Sequence, residues 1–545
     1  MRGKLFKFGK DGRKAIFEGI DVLNSAVTTT LGPKGRNVVL DRMWITPTIL
    51  HDGVSVARDV DLSEPFANMG AQIVKEAASK TNDKAGDGTT TSTLLAHSII
   101  KAGMEKIDEG HNAMDLKKGI DLAVATIVTE LDKIKEDVST REKMEQVATV
   151  SAASNEIGAM VANAMEKVGK YGVVTIEEGT GTGLELKTTL GLEIDKGYSS
   201  PRFVTDEEKM EVALVNPYIL VVKDRITSAQ DLVMALKQVT EVAKRSEIVI
   251  IADGYDEPVM ATMILNKLHG GLQIVALNPP AFAERRYQIL EDIAIVTGAT
   301  LVSKESTVKL DTMTINDFGM SERFWCDKDK SQFIGGAGEQ ATIDKRIVQI
   351  QEEIKKEKSE FEISKLKERL ARLAGGVGVI KVGAQTELEM KERKERVIDA
   401  VEATKSAVEE GVIAGGGVAL LYAREALVGL KKGLKSEAVR SGVDIIYSAL
   451  SMPITKILSN AGVDTKDVID NLTGIWNADE SKAGKWGFDV ETEKYGDMFQ
   501  MGILDPKKVT KSALLNASSI ASMLLTAECF MAFEPEEKEK ATPKE

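Results

Sequence analysis

The sequence predicts a multidomain α and α/β protein: a mostly helical domain made from both ends of the chain, with an α/β domain inserted between them. Three observations carry this. Apolar residues recur at helical spacing near each end. Continuous apolar runs alternate with helical stretches in the middle, the mark of a parallel sheet covered on both faces. Glycine-containing junctions at Gly191, Gly375-Gly376 and Gly411 separate these zones and are candidate hinges.

Near the N-terminus, Ile16, Ile20, Leu23 and Val27 form one stripe and predict a helix over 12–27. A loop follows at 30–37, rich in Gly and Pro. Residues 38–40 and 49–50 read as short strands around a turn, and Asp52-Gly53 comes directly after. Met114, Leu116, Ile120, Val124, Ile127, Leu131 and Ile134 predict a strong helix over 112–134. A helix near 155–169 ends at Lys170-Tyr171-Gly172. The strand-like runs 173–176 and 184–189 flank Gly179-Thr180-Gly181-Thr182-Gly183, read as a flexible hairpin because no helix follows the glycines.

From 190 to about 305 the runs 219–222, 248–252 and 274–277 are strands, separated by helices at 229–243 and 258–268. Ser228 caps the first helix and Pro258 opens the second. Both helices carry more apolar surface than one sheet face needs, which points either to a partner surface or to a further layer of the domain. Residues 345–373 read as an antiparallel helix pair, because the helical phase slips near 357. Strand 379–382 and a helix over 386–408 follow. The last helical block includes 440–459 and 508–531, and the charged tail 534–545 has no apolar content.

The stretch Gly86-Asp87-Gly88-Thr89-Thr90-Thr91 joins two helical patterns. Glycines let backbone approach a ligand closely, and a helix start offers unpaired N–H groups to an anion. Asp87 would repel bare phosphates but suits a divalent cation that bridges them. A Mg-nucleotide site is one reading; a capped turn is the plainer one.

Composition narrows the function. The net charge of −13 argues against nucleic acid or an anionic membrane as the main partner. No apolar run reaches transmembrane length. Four histidines and two cysteines are too few and too scattered for a zinc site or a disulfide framework. No Walker pattern occurs, and no substrate pocket of convergent acid, base and nucleophile is visible, which disfavours a small-molecule kinase.

The motifs Thr30 to Asn37, Asp52 to Ala57, Gly86 to Thr91, Ala374-Gly375-Gly376 with Ile380 to Gly383, Ala407 to Gly411 with Ala414 to Leu420, and Met501 to Pro506 stand in a set order. In these motifs the chain resembles a group I chaperonin of the GroEL type, over nearly its whole length to about Phe533. The resemblance implies an equatorial ATPase domain from 1–134 and 411–545, an intermediate hinge domain from 135–190 and 376–410, and an apical domain at 191–375. It implies seven-membered rings, usually two stacked, a GroES-type co-chaperonin lid, and unfolded client proteins. ATP and Mg2+ would be the cofactors, with K+ a further candidate. A bacterial cytoplasm is favoured over an organelle matrix.

By the same resemblance, Asp87 binds Mg2+, and Gly88, Thr89, Thr90 and Thr91 hold the phosphates. Thr30, Leu31, Gly32, Pro33 and His51 contact the nucleotide, while Gly416, Asp489 and Asp505 meet its base and ribose side. Asp52 and Asp399 are the carboxylates near the γ-phosphate. Asp399 would enter only when the intermediate domain swings down, coupling hydrolysis to conformation. Tyr198, Ser200, Phe203, Val233, Leu236, Met260, Ile264, Leu265 and Asn266 would bind clients and the lid.

The chain departs from the family pattern at several points. His51 stands where Lys is common, and Arg202 replaces an aromatic at the apical rim. Asp489-Val490-Glu491 occupies a stretch usually Asn-Ala-Ala, and 476–486 is longer than typical. Residues 278–283 replace a more glycine-rich stretch, and the Gly-Gly-Met tail is absent. These departures keep a second reading open, a diverged chaperonin that assembles without cycling, against which Asp52, Asp87 and Asp399 argue.

Overall fold

The computed structural model describes residues 3–42, 45–50, 53–169, 172–179, 181–269, 271–281 and 283–534. His51, Asp52, Lys170, Tyr171, Thr180, Phe282 and the tail beyond Glu534, all used above, lie outside them. The chain forms two compact units, Met1–Ala162 with Thr386–Glu545, and Asn163–Gln385. Residues 135–162 and 386–410, expected in the hinge domain, group with the first unit, and 163–190 with 376–385 group with the second.

The first unit is helical. In helix Gly9–Thr28 the predicted stripe of Ile16, Ile20, Leu23 and Val27 is fully buried. Each such side chain contributes roughly 1.5–3 kcal/mol relative to exposure. Helix Ala113–Ile134 starts where Asn112 Oδ1 accepts the N–H groups of Met114 and Asp115. Its apolar face joins the same core, with Leu514, Ala517 and Ala521 of helix Lys507–Leu525. Helix Glu437–Ala449 packs on Ala113–Ile134. The block read as 440–459 is two helices, Glu437–Ala449 and Met452–Ala461, because Pro453 lacks an N–H and opens a new first turn.

The stretch read as helix to 531 ends at Leu525, and Cys529–Phe533 is a strand. It pairs antiparallel with Lys4–Phe8, at the other end of the chain.

The second unit holds an extended mixed sheet in the order Gln273–Leu277, Glu247–Tyr255, Tyr218–Ile226, Gly319–Cys326, Ser331–Gly336, Gly191–Ile194. The first three strands are parallel and buried on both faces, as their continuous apolar runs require. Helices Ala229–Lys237 and Glu257–His269 make the crossovers, and Ser228 Oγ accepts the Asp231 N–H at 3.2 Å as predicted. The charged pair is Gln340–Lys356 and Glu360–Gly375. Buried Asp292 accepts from Arg346 and Arg369, one on each of these helices.

A smaller sheet corrects one expectation. Val173–Glu178 and Leu184–Thr189 do not form a hairpin with each other. Val377–Val382 lies between them, parallel to the first and antiparallel to the second. The glycine-rich link therefore spans a strand, which a tight turn could not do.

Candidate functional site

The loop 86–88 joins helices Pro65–Ala85 and Thr89–Asp108. Gly86 (φ +70°) and Gly88 (φ +86°) are left-handed, a conformation that side chains resist. Space excludes a Cβ as well. At Gly86 it would strike Glu402, and at Gly88 it would strike Val509. Helix Thr89–Asp108 begins at Gly88 without a side-chain cap, so its first N–H groups suit an outside acceptor. The hydroxyls of Thr89, Thr90 and Thr91 belong to the same turn.

Two acids stand beside this turn. Asp87 Oδ1 accepts the Gly88 N–H at 2.5 Å, and burial raises its carboxyl against that bond. Asp505 lies opposite Ile413 where strand Leu504–Pro506 pairs with Val412–Ala414. Burial and the charge of Asp87 push Asp505 up to about 7. Two half-buried carboxylates close enough to feel each other's charge are mutually costly unless one is protonated or a cation lies close. The donor set therefore fits a cation-bearing anion.

The other expected residues sit on further loops of this unit. Thr30 Oγ1 donates to the Val27 carbonyl at 2.8 Å. Asn460 Nδ2 donates to the carbonyls of Thr28 at 3.0 Å and Leu31 at 2.9 Å, fixing the loop that carries Gly32 and Pro33. A Cβ on Gly53 would strike Thr90 Oγ1 and lie 3.1 Å from Val27, which places the segment after Asp52 against the same turn. Gly416 approaches Met498, just after the hairpin Trp486–Asp489 and Lys494–Asp497. Lys34 Nζ lies 3.8 Å from Glu493 Oε1 at the tip of that hairpin. The Asp489 carboxylate accepts from Glu491 N at 2.9 Å and Thr492 Oγ1 at 2.6 Å, so it holds the hairpin turn.

Helix Glu387–Glu410 lies on the loop. Ser406 Oγ donates to the Ala85 carbonyl at 3.0 Å, and Glu402 fills the space at Gly86. Half-buried Asp399 is three residues before Glu402, on the same face. Through Ser406 and Glu402 the helix that carries Asp399 packs on this loop. Glu402 and Ser406 were not singled out in the sequence, although their spacing from Asp399 put them on its face. Asn460 carried no local signal, since its acceptors are over 400 residues away.

In the second unit the expected apolar residues divide. Leu265 is exposed, and Val233, Met260, Ile264, Asn266, Tyr198 and Ser200 are half-buried. Phe203 and Leu236 are buried core side chains rather than surface. Leu268, part of the excess apolar surface read on the second helix, and Met234, not singled out in the sequence, are exposed on the same two helices. Met260, Ala261, Ile264, Leu265 and Leu268 line an open groove of about 420 Å³ with Arg202 and Glu257.

The model of the TCP-1/cpn60 chaperonin family matches residues 23–534. The chain belongs to this family. Its fold is that of a chaperonin, as expected. The chaperonin gp146 from the bacteriophage EL 2 (Pseudomonas aeruginosa), crystallised in the presence of ATP-BeFx, is 21% identical, with a TM-score of 0.71 over 98% of this chain and 100% of its own. A second crystal form of that chaperonin gives 22% identity and a TM-score of 0.64 over 98% and 99%.

Proposed function

We propose that this chaperonin is an ATP-driven folding chamber, in which rings of the chain hydrolyse Mg-ATP to capture, enclose and release non-native proteins. The observation that carries the ATP half is the uncapped start of helix Thr89–Asp108 beside Asp87, with the Asp399 helix docked over the loop. In this reading Gly88 and the three threonines hold the phosphates. Asp87 holds Mg2+, which when bound neutralises phosphate charge. The raised carboxyl of Asp505 supports a cation there, since positive charge relieves both acids. Thr30 to Pro33 and His51 wall the nucleotide, and Gly416, Asp505 and the hairpin held by Asp489 face its ribose and base; K+ is a further candidate cation. Asp399, with Asp52, orients the attacking water and accepts its proton.

Capture is supported by the exposed Met234, Leu265 and Leu268, whose contacts with client surface need no fixed direction. Assembly is supported by the ladder of Lys4–Phe8 and Cys529–Phe533, which leaves Phe6, Phe8, Met531 and Phe533 more than half exposed. Seven-membered rings, usually two stacked, a GroES-type lid and a bacterial cytoplasm complete the reading.

The test is Asp399→Ala. ATP binding, measured by calorimetry, should persist while turnover falls roughly 100-fold or more. Near-normal turnover would remove Asp399 from the reaction. Light scattering on the same sample, with and without Mg-ATP, reads the ring mass.

A further inference from the structure

We propose that the groove along helix Glu257–His269 selects apolar partner segments flanked by a carboxylate, and that Arg202 sets this selection. The inference deepens, and rests on, the reading of this face as the capture surface. The groove floor is one stripe of the helix, Met260, Ala261, Ile264, Leu265 and Leu268. Leu265 is 55% and Leu268 59% exposed. Such a floor attracts apolar side chains but does not orient them.

Orientation comes from two charges. Arg202 sits on a short strap whose turn Pro201–Phe203 is capped by Ser200 Oγ. Phe203 anchors the strap in the core. The Lys267 ammonium donates to the carbonyls of Phe203 and Val204, tying the strap to the last turn of the helix. Glu257 is in the first turn, ten residues before Lys267 and so about 15 Å away along the axis. No ion pair of Arg202 or Glu257 occurs among the described residues. An exposed guanidinium beside an apolar floor is a bidentate seat for a partner carboxylate. Glu257 disfavours a second acid at the other end. The occupant is therefore an apolar segment of a partner protein, with Asp or Glu on the flank that meets the strap.

Three fluorescent peptides with one leucine-rich core, flanked by Glu, Gln or Lys, would be titrated onto the whole assembled protein at low and high salt. The Glu-flanked peptide should bind about two- to fivefold tighter than the Gln-flanked one, with the gap closing at high salt. Arg202→Gln should remove the gap and leave the Gln-flanked affinity unchanged. Arg202→Glu should turn the preference towards Lys. Equal binding of all three peptides by the unmodified protein would overturn the selection while leaving apolar capture intact. An unchanged ranking in Arg202→Glu would remove Arg202 from it. Failure of every peptide to bind would overturn the capture reading and the selection together.

Discussion

Between about pH 4 and about pH 7, Asp505 holds a proton that the unfolded chain releases. Its carboxyl moves from 3.8 to about 7 on folding, through burial and the charge of Asp87. Between those values the folded chain binds more protons, so stability falls as pH rises from about 4 to about 7 and stays lower above. Asp505→Asn cannot ionise and avoids this cost. Without nucleotide, the variant should melt higher than the unmodified protein at pH 8, with the difference shrinking towards pH 4. A difference independent of pH would mean that Asp505 is not the titrating group. Under the proposed function, the same variant should also bind Mg-ATP more weakly at pH 8, because the negative charge offered to the bound cation is lost. Residues of this kind were legible through motifs: the glycines of 86–88 take the left-handed turn their residue type allows, and the three threonines open the helix that follows. Asn460 was not legible, because its two acceptors belong to a loop at the far end of the sequence.

The strand Cys529–Phe533 was hidden at the scale of elements for a related reason. Phe530 and Ala532 are buried while Cys529, Met531 and Phe533 are exposed, an alternation of only five residues following a long helix. Helical periodicity extended across it, and the partner that makes it a strand lies at Lys4–Phe8. Long parallel strands such as Glu247–Tyr255 were legible because burial on both faces writes itself into a continuous apolar run. The terminal ladder also carries a prediction about assembly. Phe6 and Met531 lie opposite each other and are both 52% exposed. Replacing both by Asp puts charge where a neighbouring copy would pack. Circular dichroism should stay unchanged, since neither side chain enters the core, while sedimentation shifts from the assembled particle to smaller species. An undiminished particle would show that this face is no interface.

On the scale of the whole molecule, the two units differ in how their chains close. Asn163–Gln385 is one continuous segment with its own core, including Ile219, Ile248, Val275, Phe324 and Phe333, all at most 1% exposed. The other unit needs both ends of the chain. Strand Lys4–Phe8 lacks a partner without Cys529–Phe533, and helices Pro65–Ala85 and Thr89–Asp108 pack on Lys507–Leu525. A nested sequence pattern announces this arrangement, since helical periodicity dominates both ends and the long continuous apolar runs of a parallel sheet lie only between. It follows that residues 163–385 should fold when expressed alone, whereas residues 1–162 should not. For the first fragment, urea should give one cooperative transition with a slope near the upper end of about 1–3 kcal/mol/M, as its size demands. For the second, the exposed faces of three core helices should leave a non-cooperative, aggregating chain. A gradual transition in 163–385 would mean that its sheet draws stability from the helical unit, and a cooperative one in 1–162 would mean that the returning helix only covers a core already closed.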